Sequence, residues 1–151
     1  MDWLWVILIA ARGLSSAPDD EWATRLAELD RARGSAFAAA DPDLLDDVYV
    51  AGSSGHRADA ATIEAYAHRG GRVVGADLRV LSCRIVRATR DRAQLDVVDQ
   101  LAPSTVVWDD GTSLTLPRDR PSRRAITVVR TDDGWRIATA RTLTTRPSAR
   151  R

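Results

Sequence analysis

The chain has 151 residues, 44% of them hydrophobic, and a net charge of +1, which is typical of one soluble globular domain with a buried core. The near-neutral charge gives no support to a nucleic-acid partner, and none is expected. All 22 basic residues are arginine, which excludes a lysine nucleophile or Schiff base, and the single cysteine excludes an internal disulfide. The two histidines have no cysteine cluster near them, so neither a metal site nor a cofactor is expected.

The chain begins with a run of nine apolar residues, Trp3–Ala11. A bilayer span needs about 20 such residues, and a signal peptide starts with basic residues, whereas Asp2 precedes this run. Two interpretations stay open: a short interfacial or core-packing helix, or the end of a membrane span that starts upstream of Met1. The second would place the protein at the cell membrane or outside the cytoplasm, and the first allows a cytoplasmic protein. Residues 1–17 are therefore an apolar segment and linker that could anchor the protein to a membrane.

The first helix is predicted to begin near Pro18, because proline fits the first turn and the acidic residues 19–21 suit the positive end of the helix dipole. Apolar residues then recur at helical spacing from Trp22 to Ala40. Arg33 interrupts this apolar stripe. We interpret it as a snorkelling or salt-bridged arginine at the edge of the stripe.

Two shorter helices are predicted next. Asp41 and Pro42 are good residues for the start of the second helix. A Gly- and Ser-rich loop follows at residues 51–57, and Asp59 is predicted to cap a third helix that ends at Gly70 and Gly71.

The second half of the chain is predicted to consist of strands. Asp133 and Gly134 stand between two β-rich runs, which is a strong hairpin signal because both residues tolerate positive φ angles. One domain is expected over residues 18–141, and residues 142–151 form a basic tail that is expected to be disordered. The predicted strands are residues 77–88, 93–101, 105–108, 113–116, 123–131 and 135–141.

Helices followed by strands predict an α+β domain in which three helices pack on one face of a curved, mainly antiparallel sheet. The junction Ala36–Tyr49 and the closing Gly134–Ile137 (Gly-Trp-Arg-Ile) resemble the nuclear transport factor 2-like superfamily, over about residues 20–141. The resemblance implies a cone-shaped fold that also occurs in polyketide cyclases and ketosteroid isomerases. It says little about activity, because the same cone hosts enzymes, binding modules and scaffolds.

Asp99 is the strongest candidate for a catalytic acid or base. It lies in phase with Leu95 and Val97, on the apolar face of its predicted strand. A carboxyl group there is either paired or has a raised pKa, which would suit a general acid or base in the cone. We favour the paired, structural interpretation, because ion pairs that only support the structure also shift pKa values.

Further candidate ligand residues come from an arginine cluster and from the aromatic residues. Residues 118–124 contain four arginines, which could bind a phosphate or carboxylate or could neutralise Asp99, and Arg120 is the hypothetical partner of Asp99. The aromatic side chains that could line the mouth of a cavity are Tyr49, Tyr66, Trp108 and Trp135, although aromatic residues at such spacing are more often part of the core. No catalytic tyrosine can be matched to the resemblance.

Three functions follow as expectations. The first is a non-catalytic domain, associated with a bacterial membrane, that binds a small apolar ligand or a protein partner. The second is an acid/base enzyme of the cyclase or isomerase type that uses Asp99, and the third is an interaction module with a filled cone. A homodimer through an unpaired sheet face is a further expectation.

Overall fold

A computed structural model describes residues 18–144 of the chain. The apolar run Trp3–Ala11 and residues 145–151 of the basic tail lie outside the described residues. Helices pack against antiparallel strands, which confirms the predicted α+β class. The elements are α1 (Pro18–Ala39), a 3₁₀ helix (Pro42–Asp47), α2 (Ser54–Ala67), β1 (Gly71–Val74), β2 (Leu78–Ala88), β3 (Arg92–Leu101), β4 (Ser104–Trp108), β5 (Ser113–Leu116), β6 (Ser122–Thr131) and β7 (Gly134–Thr142).

The strands form two antiparallel sheets where the sequence predicts one. The larger sheet has the order β2-β3-β6-β7, and the smaller has the order β1-β4-β5. Six of the seven strands lie where the sequence predicts them. The prediction missed β1, because Gly70 and Gly71, where the strand begins, look like the end of a helix. In the structure Val73 is buried in this short strand and pairs with Val106 of β4.

Helix α1 packs on the inner face of the larger sheet through its apolar stripe, including Leu26, Leu29 and Phe37. Two of its carboxylates also bond to the backbone of β2. The Asp19 carboxylate accepts a hydrogen bond from the Ile85 amide at 3.0 Å, and the Asp30 carboxylate accepts one from the Leu78 amide at 2.7 Å. These bonds hold α1 along β2, which is an edge strand.

The predicted second helix is a 3₁₀ helix of six residues. Asp41 caps it as predicted, and its carboxylate accepts a hydrogen bond from the Asp43 amide. The helix stays short because the following residues pair with β7: the Val50 amide donates to the Ile137 carbonyl, and the Ile137 amide donates to the Val48 carbonyl. The described residues thus contain two α-helices and one 3₁₀ helix where three helices are predicted.

Helix α2 begins earlier than predicted. Ser53 caps it, with its hydroxyl accepting a hydrogen bond from the His56 amide, so the predicted cap Asp59 lies inside the helix. The predicted loop at residues 51–57 is therefore shorter than expected. None of the helices within residues 18–144 is both long enough and apolar enough to cross a bilayer.

Candidate ligand cavity

A cavity of about 280 Å³ lies between α1, the start of α2 and the inner face of the larger sheet. A smaller void of about 50 Å³ continues beneath it and shares six lining residues with it, among them Asp99 and Arg124. The outer part is polar. The inner part is lined mainly by aliphatic side chains, namely Leu26, Val48, Val80, Val97, Ile126 and Ile137.

At the centre of the cavity, Asp99 of β3 pairs with Arg124 of the neighbouring strand β6. Asp99 is 3% exposed, and its Oδ1 accepts hydrogen bonds from Arg124 Nε at 3.0 Å and from Arg124 Nη2 at 2.7 Å. The strand register places Val97 opposite Arg124, so the arginine reaches diagonally across the pair of strands. Within residues 18–144, no side chain or amide donates a hydrogen bond to Asp99 Oδ2, so this oxygen can accept one from a ligand.

A second polar group at the cavity consists of Arg33 on α1, Asp59 on α2 and Tyr49. The Arg33 Nε and Nη2 atoms donate to the two Asp59 oxygens at 2.5 and 3.0 Å, and the Tyr49 hydroxyl donates to Asp59 Oδ2 at 2.7 Å. Burial raises the pKa of Tyr49 and the Asp59 charge raises it further, so the phenol stays protonated. Burial by itself would lower the pKa of Arg33, but Asp59 outweighs it and the pKa is raised. Arg33 is thus the salt-bridged arginine that the sequence indicated.

Asp30 lies in the apolar inner part of the cavity. Its Oδ1 is buried and has no hydrogen-bond partner among residues 18–144, and it lies 4.0 Å from Arg33 Nη1. Burial raises the pKa of Asp30 to about 6, although the Leu78 amide and the Arg33 charge both act to lower it. This carboxyl group therefore changes its protonation state close to neutral pH.

Replacing Asp30 with asparagine is expected to stabilise the protein at pH 8. The pKa of Asp30 is higher in the folded chain than the ordinary 3.8, so ionisation costs stability as the pH rises through 6, by at most about 3 kcal/mol. The gain should be roughly half as large at pH 5, where the carboxyl is ionised in the unfolded chain but still protonated in the folded one, and it should disappear only below the unfolded pKa of 3.8. Urea unfolding at both pH values measures it, with Glu28→Gln on the exposed face of α1 as the control. An equal effect at both pH values would contradict the prediction.

The structure brings three of the five predicted ligand residues to one cavity. Tyr49 and Asp99 line it, and the exposed Arg120 stands at its rim. Arg124 of the same arginine cluster, and not Arg120, bonds to Asp99. Tyr66 and Trp108 do not line this cavity, and they pack against each other with their ring centroids 6.2 Å apart.

The sequence analysis missed several residues of the cavity, and two of them left a signal. Asp30 and Arg33 follow Leu26 at helical spacing, so both belong to the inward face of α1. Asp59 gave no such signal, because its sequence context looks like a helix cap. Gly55 also lines the cavity, and a Cβ atom there would stand 2.7 Å from the Tyr49 ring, so the glycine lets this ring lie against α2.

No set of three or more His, Cys, Asp or Glu side chains within residues 18–144 is arranged to hold a metal ion. The polar groups of the cavity are carboxylates, guanidinium groups and a phenol. Arg33 and Arg124 are each already paired with a carboxylate, so the site can offer hydrogen bonds to a ligand while these charges balance internally.

Solved structures with the same fold include proteins of different kinds. The intermembrane space region of the chloroplast protein ARC6 is 14% identical over 86% of this chain and all of that chain, with a TM-score of 0.57. A proposed aromatic ring hydroxylase from Novosphingobium aromaticivorans is 17% identical over 87% of this chain and 94% of its own, with a TM-score of 0.52. Aln2 from a Streptomyces species is 17% identical over 84% and 93% of the two chains, also with a TM-score of 0.52.

These similarities show a fold and no activity. The chain has the nuclear transport factor 2-like fold, and the prediction from the Ala36–Tyr49 junction and the closing hairpin is confirmed. No family model matches the chain, and no curated protein matches its sequence.

Proposed function

We propose that this domain binds a small molecule with an apolar body and a polar head. The observation that carries the proposal is the composition of the cavity: an aliphatic inner part that continues into a polar part containing Arg33, Tyr49, Asp59, Asp99 and Arg124. We take the cavity to be the interior of the cone that the resemblance implies. Sites for small molecules have this composition, in which apolar walls supply affinity and a few polar groups fix the orientation.

The polar head is expected to be uncharged and to carry a hydroxyl group. Because none of the described residues donates a hydrogen bond to Asp99 Oδ2, this oxygen can accept one from such a group. Arg33 and Arg124 are already paired with carboxylates. A charged head group would therefore add an uncompensated charge to the cavity. The pairing also favours binding over catalysis by Asp99, because Arg124 already occupies the carboxylate oxygen Oδ1 with two hydrogen bonds.

Binding of 2-naphthol, measured by calorimetry and compared with naphthalene, tests the proposal. We expect 2-naphthol to bind more tightly, because only it can donate a hydrogen bond to Asp99. Ala140 lines both parts of the cavity, so Ala140→Phe should abolish binding. Thr139→Phe, at the neighbouring exposed position of β7, is the matched control and should bind normally. Failure of both compounds to bind the wild-type protein, or equal losses in the two variants, would refute the cavity as the site.

An acid/base enzyme is the second candidate, and Asp30 is the observation that favours it. A carboxyl group whose pKa is about 6 inside an apolar pocket can donate or accept a proton near neutral pH. One solved structure with this fold is described as a proposed aromatic ring hydroxylase. Turnover of any cyclic ketone or phenol that falls at least a hundredfold in Asp30→Asn, with binding retained, would favour the enzyme over the binding domain.

A further inference from the structure

Charge is strongly segregated in this nearly neutral chain. The four strands of the larger sheet carry nine arginines and two aspartates, whereas residues 18–67, which include both α-helices, carry four arginines and eleven acidic residues. One of the two sheet aspartates, Asp99, faces the cavity on the inner side. Arg124 also faces the cavity, whereas six of the other sheet arginines lie on the side that faces away from the helices.

The outer face of the larger sheet is a basic surface. Arg84 of β2 and Arg123 of β6 both bond to Asp96 of β3, which places all three on this face. Among the described residues, Asp96 is the one acid on the face. Six arginines lie on this face, as the contacts, the strand register and a surface depression shared by Arg87 and Arg92 show. They are Arg79, Arg84, Arg87, Arg92, Arg123 and Arg141.

Edge strand β2, which carries three of these arginines, also has large exposed apolar side chains. Leu81 and Val86 lie at the two bulges of β2 and are 47% and 61% exposed. Arginine next to exposed aliphatic groups suits the interfacial layer of a bilayer, where the guanidinium group meets lipid phosphate and the aliphatic group meets the acyl boundary. A surface for single-stranded nucleic acid would instead be expected to offer aromatic side chains for stacking on the bases.

The folded domain is joined to its apolar run close to this surface. Asp19, in the first turn of α1, is bonded to Ile85 in edge strand β2, next to Val86. The link between Ala11 and Asp19 can extend over at most about 29 Å. If Trp3–Ala11 enters a bilayer, β2 is therefore held within that distance of the bilayer surface.

We propose that the outer face of the larger sheet docks on an anionic bilayer, with its arginines contacting the phosphate groups of the lipids. The proposal does not depend on the cavity or its ligand. It gives the domain a fixed orientation, with the acidic helical side directed away from the membrane.

Co-sedimentation of the full chain with lipid vesicles tests this orientation. Phosphatidylcholine vesicles are compared with vesicles that also contain phosphatidylglycerol. The test variant is Arg79→Gln/Arg87→Gln/Arg92→Gln, three exposed arginines of the basic surface. The control is Arg31→Gln/Arg72→Gln/Arg118→Gln, which removes the same charge from exposed positions elsewhere. An unchanged far-UV circular dichroism spectrum shows that each variant is folded.

We expect phosphatidylglycerol to strengthen binding and added salt to weaken it. The test variant should lose on the order of a hundredfold of its affinity for the anionic vesicles, since each arginine at the surface contributes about a factor of five. The control variant should lose much less. Binding that does not respond to phosphatidylglycerol, equal losses in the two variants, or binding of duplex DNA without binding of the anionic vesicles would each overturn the proposal.

Discussion

Replacing Arg124 with methionine is expected to destabilise the protein by about 3–5 kcal/mol, because it leaves the buried Asp99 carboxylate without its partner. Methionine keeps much of the length of the arginine side chain, so the loss of charge and of two hydrogen bonds dominates the effect. Urea unfolding followed by circular dichroism measures it.

The neighbouring residue provides the control for this prediction. Arg123 bonds to Asp96 on the exposed face, and Asp96 also bonds to Arg84. Arg123→Met should therefore change stability little, because solvent screens an exposed pair and one arginine remains. In addition, Asp99→Asn should partly restore stability to Arg124→Met, because no uncompensated charge is then left inside. Similar losses in the two arginine variants would show that burial does not control the strength of these pairs.

Replacing Arg33 with methionine is the second change with a large expected effect, again about 3–5 kcal/mol at pH 8. It removes both hydrogen bonds to Asp59, the positive charge beside Asp30, and the guanidinium group that lies 4.8 Å from the centre of the Phe37 ring. The Asp30 and Asp59 carboxylates then lose the cation that they share. Arg31→Met, two residues away on the exposed side of α1, is the control and should be nearly neutral.

The Arg33 variant should also respond to pH in a specific direction. The Arg33 charge acts to lower the pKa of Asp30, so its removal should raise that pKa above 6. A carboxyl group whose pKa is raised in the folded state makes the folded chain more stable as the pH falls. Lowering the pH from 8 to 5 should therefore reduce the difference in unfolding free energy between the variant and the wild-type protein. Unfolding curves at the two pH values measure this change. A larger difference at pH 5 would contradict the assigned contacts.

The sequence predicted the strands well because their signals are local. Alternation of apolar and polar residues, with Asp and Gly at the turns, located six strands and placed Asp99 on the inner face. Strand β1 was missed because four residues beginning with glycine carry almost no pattern of their own. That strand forms because β4 pairs with it, which is a tertiary effect.

The candidate site was less accessible to prediction, because its contacts join residues that are far apart in the chain. Asp59 looked like a helix cap, yet its carboxylate binds Arg33 on another helix. The partner of Asp99 was expected within the arginine cluster, but only the strand register decides that Arg124 reaches it and Arg120 does not. Patterns along one element indicate which side chains point inward. They do not indicate which of these side chains meet.

The topology of the larger sheet has a consequence for the order of folding. Hairpins β2–β3 and β6–β7 are local and can form early, but β3 can pair with β6 only after residues 102–121, which carry β4 and β5, have closed into a loop. The Asp99–Arg124 ion pair links β3 to β6, the two strands that pair last. We therefore expect the cavity to be absent from partly folded states that already contain both hairpins, and to form only when β3 pairs with β6.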